Sequence, residues 1–533
     1  MRQAAATGEG GRIGGAAALI AGITVASRLA GFARVLVFGW AVGVTDLGTI
    51  YQTANTVPNI IFEIVAGGAL ASLVIPVLAA PIARKDPATV ARTASAMLTW
   101  ACAILVPIAV LVAVFAEEII GLLSANAGPE MTAVGTRMLQ VFAPQLPLYG
   151  IGIVLTGVLQ AHRRFAWPAL APLLSSVTVI GAYTIYGLMG EPDDLAGVSR
   201  AGELVLSVGT TLGVVVLSGC LVVPTLRLGV RVRPTFSFSD GLGAKVKSLA
   251  LAGAVTVGAQ QLATLVVIYL TNPPAGPGAL VNFTIANTLY LLPWAVLVVP
   301  VATAAYPTLA GAFAEGDDER FDRTLSSTTR MVLLLSGLGT AALVVLARPL
   351  AELLNPILSG SPDADQLTTA VMGLAPGLIG YGLFALLTRA LYARGDTAKA
   401  AGATVLGWGV VMAATMTLAG ILPNSGRLFA VTVGNSIGMV VLGAALITVV
   451  AVRVGRSALV GVPRAFAVTV LAGGLALAAG LPLVSAMNTV PPLWTGVCGG
   501  AVVLVVYGAV TVLLDRHDVR PLIGRVTRRF GRG

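Results

Sequence analysis

The sequence predicts an all-α polytopic membrane protein of about 14 transmembrane helices, arranged as two parallel six-helix repeats followed by two further C-terminal helices. Three observations predict it. Of 533 residues, 56% are hydrophobic and 11% charged, with a mean hydropathy of +0.91, whereas soluble chains carry about 25% charged residues. Apolar runs of about 20 residues, enough to cross roughly 30 Å of hydrocarbon as helix, recur along the chain. Segments of the first half also recur in the second.

The runs fall near 15–43, 50–83, 91–116, 132–160, 165–189, 202–226, 245–271, 279–313, 325–350, 366–392, 398–422, 428–452, 459–485 and 492–514. They divide the chain into a polar lead (1–14), a first lobe (15–226), a basic linker (227–244), a second lobe (245–456), a C-terminal helix pair (457–515) and a basic tail (516–533). The lead, "MRQAAATGEGGR", has no recognisable cleavage signal, so the first run is expected to stay as a span. With both termini cytoplasmic, 26 basic residues fall in segments on the cytoplasmic side and only Arg200 and Arg427 in the opposite loops, the asymmetry that sets orientation. The tail is expected against anionic headgroups.

Other classes are excluded. A net charge of +10 could suggest nucleic acid, but the charge is spread over short loops between apolar runs rather than gathered in one patch. Cys102, Cys220 and Cys498 sit within apolar runs, and the only histidines are His162 and His517; neither a metal site nor a disulfide framework is expected. There is no nucleotide-binding loop or nucleophile triad, and no cofactor is expected. Arginine outnumbers lysine 29 to 4, a bias of GC-rich genomes.

The repeat has a spacing of about 232 residues. "ANT" at 54–56 recurs at 286–288, and "PQLPLYGIGIVLTGVLQA" from Pro144 matches "PGLIGYGLFALLTRALYA" from Pro376, sharing a Tyr-Gly pair. "PVLAAPIARKDPATVARTAS" from Pro76 matches "PTLAGAFAEGDDERFDRTLS" from Pro307, one residue short of that spacing. Six helices separate equivalent positions, and an even number preserves direction, so the halves are parallel repeats about an axis along the membrane normal. A cavity is expected between them.

The first run, "ITVASRLAGFARVLVFGWAVG", carries Arg28 and Arg34, although an arginine at the centre of a spanning helix costs about 3 kcal/mol on the insertion scale. Six residues apart, they lie about 9 Å apart along a helix and about 120° around it. A guanidinium is permanently charged and forks onto phosphate oxygens, which suits it to hold a diphosphate; the alternative is an ion pair with Glu63 that fixes helix packing. Glu63 is the one carboxylate expected deep in a span, either as counter-ion or proton carrier for the arginines or as half of a structural pair. Asn55 and Asn59 on the second run, and Asn287, the repeat partner of Asn55, complete the candidate contacts. Arg137 and Arg348 are expected to snorkel at outer helix ends, and Arg389 to snorkel or to serve the inner mouth. Pro144, Pro147, Pro293, Pro300 and Pro376 mark expected kinks.

These residues resemble a known family. "SRLAGFARV" from Ser27 and "ANTVPNIIFEIVAGGALASLVIPVL" from Ala54 are similar to the N-terminal signature of the MurJ (MviN) lipid II flippases of the MOP exporter superfamily, in a divergent, actinobacterial form. "YPTLAGAFAEGD" from Tyr306 resembles the family's eighth-helix end. The resemblance implies two six-helix lobes about a central cavity, a C-terminal pair forming a groove for the polyprenyl tail, and alternating access carrying lipid II outward. It implies a bacterial cytoplasmic membrane location and cell-wall synthesis or division proteins as partners. Arg28 and Arg34 match first-helix arginines thought to grip the diphosphate. The chain departs from the pattern at Thr49, where an aspartate is typical, at Phe62 and Glu63, where many members have an arginine pair, and at Thr288, where many have an arginine. Three alternatives to lipid II transport are therefore carried forward: a flippase for another lipid-linked glycan, a MATE-like drug or ion antiporter, and a non-transporting cell-wall scaffold.

Overall fold

A computed structural model of the chain describes residues 2–64, 71–124, 127–192, 195–230, 232–237, 242–273, 275–360 and 364–514; among these every regular element is helical. The contacts divide the chain into two units, Met1–Gln261 with Leu358–Gly360, and Leu262–Ile357 with Ser361–Gly533.

The first unit holds α1 (Arg2–Ala41), α2 (Asp46–Phe62), α3 (Ala71–Ala83), α4 (Pro87–Val114) and α5 (Ala116–Leu123). It continues with α6 (Pro129–Phe142), α7 (Gln145–Ala161), α8 (Ala166–Leu188), α9 (Arg200–Gly219) and α10 (Val222–Leu226). α4 packs on α7, α8 on both α1 and α9, and α2 on α6. The unit division falls within α11 (Leu242–Thr271).

The second unit holds α12 (Ala279–Pro293), α13 (Val299–Glu315), α14 (Asp318–Leu354), α15 (Ala364–Leu374) and α16 (Gly377–Ala393). α17 (Thr397–Ile421), α18 (Arg427–Arg453), α19 (Val462–Ala486) and α20 (Pro492–Leu514) follow. Its packing repeats that of the first: α14 on α16 as α4 on α7, α17 on α18 as α8 on α9, and α12 on α15 as α2 on α6. The added pair, α19 and α20, lies against α14 through Ala341, Val345, Ala472, Ala476 and Val503, and the Tyr507 hydroxyl donates to the Leu334 carbonyl at 2.8 Å.

Local chemistry explains where these helices begin and bend. Thr45, Asp86, Ser199 and Asp317 each accept from a backbone N–H of the first turn they precede, satisfying a donor that the helix itself cannot. Asp86 and Asp317 are repeat partners, so the sequence match marks the same cap twice. Gly316, in left-handed conformation at φ +71°, ends α13, a backbone conformation that glycine adopts without strain. Pro144 separates α6 from α7, α15 and α16 meet at a 44° bend at Pro376, and Pro293 precedes a π-helical turn over Trp294–Val298.

Among the described residues, eleven helices are long and apolar enough to cross a membrane, or twelve if the bent pair α15 and α16 is one span. Fourteen spans are expected from the sequence; the expected second is seen as α2 and α3, with 65–70 between them outside the described residues, and the expected seventh is represented by the shorter apolar stretch Val255–Thr271 of α11. The basic tail lies outside the described residues.

Two expectations about charge are corrected. Arg137 does not snorkel: its Nε donates to Glu203 at 2.9 Å, a second nitrogen bonds the other carboxylate oxygen, and Arg200 completes the cluster. Glu203, 4% exposed, is therefore the deeply buried carboxylate that sequence reading assigned to Glu63, which is exposed. Arg348 keeps an exposed side chain and donates to Glu352 at 2.8 Å, one turn along its own helix.

Candidate functional site

The site in the first unit is built where α1, α2 and α7 present polar groups within otherwise apolar spans. Pro58 lies within α2, and Glu63 and Ile64 fall in a π-helical turn directly after it. A π turn widens the helix by one residue and commonly marks a functional position. The Tyr149 hydroxyl donates to Asn59 Oδ1 at 2.9 Å, and Asn59 Nδ2 donates to the Asn55 carbonyl at 2.9 Å. This fixes the amide so that its oxygen meets the phenol. Phe62 lies on the Tyr149 ring at 4.3 Å between centroids, with planes at 36°.

Charged groups from two helices lie in this region. Arg34 stands one helical turn before Phe38 on α1, whose ring packs on Tyr51 and Tyr183 at 5.1 and 5.2 Å, and Glu63 directly follows Phe62. Tyr51 and Tyr183 form a buried pair, hydroxyls 2.8 Å apart, with Thr210 bonded to Tyr51. Arg28 and Arg34 are both exposed. Among the described residues, no ion pair joins either arginine to Glu63, so the packing-pair reading of these three groups is not what the structure forms. Beside Tyr149 a cavity of about 310 Å³ opens, lined mainly by apolar atoms of Phe62, Ile153, Pro172 and Leu217, with Thr156 and Gln160 as its polar edge.

Of the sequence candidates, the structure brings Asn59 onto Tyr149, with Asn55 contributing its backbone carbonyl; Glu63 follows Phe62, whose ring lies on Tyr149, and Arg34 stands on α1 one turn before Phe38. Arg28 stands about 9 Å further along α1. Asn287 is half-buried in the second unit, and Arg389 turns back on its own helix, bonding the Ala385 carbonyl. Tyr149 is the residue that sequence reasoning missed. Its signal was present, since the Tyr-Gly pair recurs in the repeat.

The second unit repeats the aromatic arrangement. Positions 232 residues beyond Phe62 and Tyr149 are Trp294 and Tyr381, whose rings lie 4.9 Å apart with planes at 38°. Trp294 also opens the π-helical turn, matching the turn at Glu63. The positions that depart from the family pattern are packed without cations: Phe62 stacks, Thr49 is buried, and the Thr288 hydroxyl bonds the Thr284 carbonyl at 2.8 Å.

Comparison with known proteins agrees with this architecture. The family model described as lipid II flippase MurJ matches residues 39–488. A probable lipid II flippase MurJ from Synechocystis sp. is 27% identical over 398 residues, 71% of each chain. A lipid II flippase MurJ from Burkholderia cenocepacia is 26% identical over 387 residues, covering 71% of this chain and 72% of that one. Among solved structures, a lipid II flippase MurJ in an inward closed conformation superposes with a TM-score of 0.75 at 17% identity, covering 95% of this chain and 99% of that one. An inward-facing MATE-family multidrug resistance transporter of the MOP superfamily gives a TM-score of 0.67 at 17% identity, over 82% and 98%.

Proposed function

This chain belongs to the lipid II flippase MurJ family, and from that premise we propose that it moves the polyprenyl-diphosphate-linked peptidoglycan precursor from the inner to the outer leaflet of the bacterial cytoplasmic membrane. It is a transporter in this reading, working by alternating access. The observation that carries the reading beyond family membership is the pair of exposed arginines on α1, held by no carboxylate among the described residues, in a span that must otherwise be apolar.

The physics of the cargo explains the residues. A diphosphate cannot enter hydrocarbon without compensating charge, and a guanidinium supplies charge and a two-pronged donor together. Arg28 and Arg34 would grip the phosphates in turn along about 9 Å of α1. The Asn55, Asn59 and Tyr149 chain holds α2 and α7 in register beside them and offers polar edges to the sugar. Glu63 facing the same region offsets part of the positive charge, which favours release over tight retention. Asn287 is the counterpart of Asn55 in the second repeat, Arg389 a contact at the inner mouth, and α19 with α20 the seat of the polyprenyl tail. Both termini are cytoplasmic, and the partners are cell-wall synthesis or division proteins.

A second reading, a flippase for a different lipid-linked glycan, is favoured by Phe62, Glu63 and Thr288, which stand where many members have arginines and so leave the site with fewer cations. Rescue of a bacterium depleted of its own lipid II flippase distinguishes the two. Growth restored by this chain, and not by its Arg28→Ala, Arg34→Ala variant at equal membrane level, supports lipid II. No growth alongside a functioning homologue control supports the other cargo.

A further inference from the structure

The segment 232–237 that follows α10 is not helical, yet it runs alongside the spanning helix α4. Backbone polar groups at such a depth need partners, and α4 supplies them. Ser95 Oγ accepts from the Arg233 N–H at 3.0 Å, Thr99 Oγ1 accepts from the Thr235 N–H at 3.1 Å, and Trp100 Nε1 donates to the Phe236 carbonyl at 3.1 Å. Pro234, between the two donating residues, has no N–H to satisfy. The Trp100 and Phe236 rings meet edge to face at 5.3 Å. The strap is thus fastened to one stripe of α4, and it walls a groove of about 560 Å³.

That groove is lined by Cys102, Ala103 and Val106 of α4 and by Val232, Pro234 and Phe236 of the strap. The polar side chains that face the strap, Ser95, Thr99 and Trp100, are already engaged with it, so the groove offers hydrocarbon contact. At its α4 N-terminal mouth stand two exposed arginines: Arg233 on the strap and Arg92, one helical turn before Ser95. From Arg92 to Val106 the stripe covers about 21 Å, against roughly 15 Å for half of the hydrocarbon thickness.

We propose that this groove is a binding site for one anionic phospholipid, its acyl chain between α4 and the 232–237 strap and its phosphate between Arg92 and Arg233. The strap then acts as a lipid-sealed tie between the end of the first lobe and α4. The site is separate from Tyr149 and its neighbours, and the proposal rests on α4 spanning the membrane, not on which lipid-linked molecule is carried.

Trp100 reports occupancy directly. In nanodiscs containing equal mole fractions of brominated-acyl phosphatidylglycerol or brominated-acyl phosphatidylcholine, the Trp100 component of fluorescence is the difference between the chain and its Trp100→Phe variant. The expected result is stronger quenching by the phosphatidylglycerol, with a relative affinity falling about fivefold for each of Arg92→Gln and Arg233→Gln, as about 1 kcal/mol per basic residue implies. Ala103→Phe, which fills the groove from an exposed position, should reduce quenching by both lipids while the elution profile and helical circular dichroism stay unchanged. Equal quenching by the two headgroups in the unaltered chain means an ordinary lipid annulus and overturns the site. Quenching unaffected by Ala103→Phe places the chain elsewhere and overturns it equally.

Discussion

The Tyr149 ring lies against Phe62 at 4.3 Å while its hydroxyl holds Asn59 at 2.9 Å, so one residue of α7 grips α2 on both sides of the turn that leads to Glu63. The two grips are separable. Tyr149→Phe keeps the ring contact and removes a hydrogen bond worth about 1 kcal/mol; thermal stability in detergent should fall slightly, and transport more. Phe62→Ala removes the ring contact, worth roughly 0.5–1.5 kcal/mol beyond area burial, and should lower stability further. A double variant whose stability loss equals the sum of the two single losses would show that the contacts do not act together.

Neutralising Arg28 or Arg34 should abolish rescue at normal membrane abundance, with lysine restoring part of it because it keeps the charge and loses the fork. Complementation with quantified membrane protein measures this. Full activity in both alanine variants would remove the arginines from the site.

Glu63→Gln should express and fold normally, since no arginine pairs with Glu63 among the described residues. Transport should change: cargo grip rises when the opposing charge is removed, and turnover falls if release limits the cycle. Loss of the protein from the membrane would instead restore the packing role.

Arg137 and Arg200 both face Glu203, which is almost fully buried. Removing Arg137 leaves that carboxylate with Arg200 alone, so Arg137→Gln should cost on the order of 2 kcal/mol, less than the roughly 3–5 kcal/mol of a pair broken outright. Arg200→Gln should cost less, because Arg137 supplies two of the three bonds. Equal stability of both variants and the parent would contradict the assignment.

The orientation gives a labelling prediction. A single cysteine at Asp365 should react with an impermeant thiol reagent in intact cells and one at Asp396 should not; the reverse pattern would invert the topology.

Class, repeat and most spans were legible in the sequence because hydrophobic run length and internal similarity are chain-local signals. The caps at Asp86 and Asp317 were visible as matched residues, though not as caps. What stayed hidden depends on which face of a helix a residue occupies and on partners far along the chain. Arg137 meets Glu203, 66 residues on, and Tyr149 meets Asn59, 90 residues back. An apolar run does not encode such pairings. Glu63 drew attention as a carboxylate within an apolar run, yet Glu203, placed near a span end, is the buried one.

Following lipid II itself in the native host decides whether it is the cargo. On depletion of this protein, the fraction of lipid II exposed at the outer leaflet should fall while total lipid II rises, and re-expression of the unaltered chain, but not of the Arg28→Ala, Arg34→Ala variant, should reverse both. Unchanged outer-leaflet lipid II after depletion, in a strain without a second flippase, would contradict lipid II as the cargo.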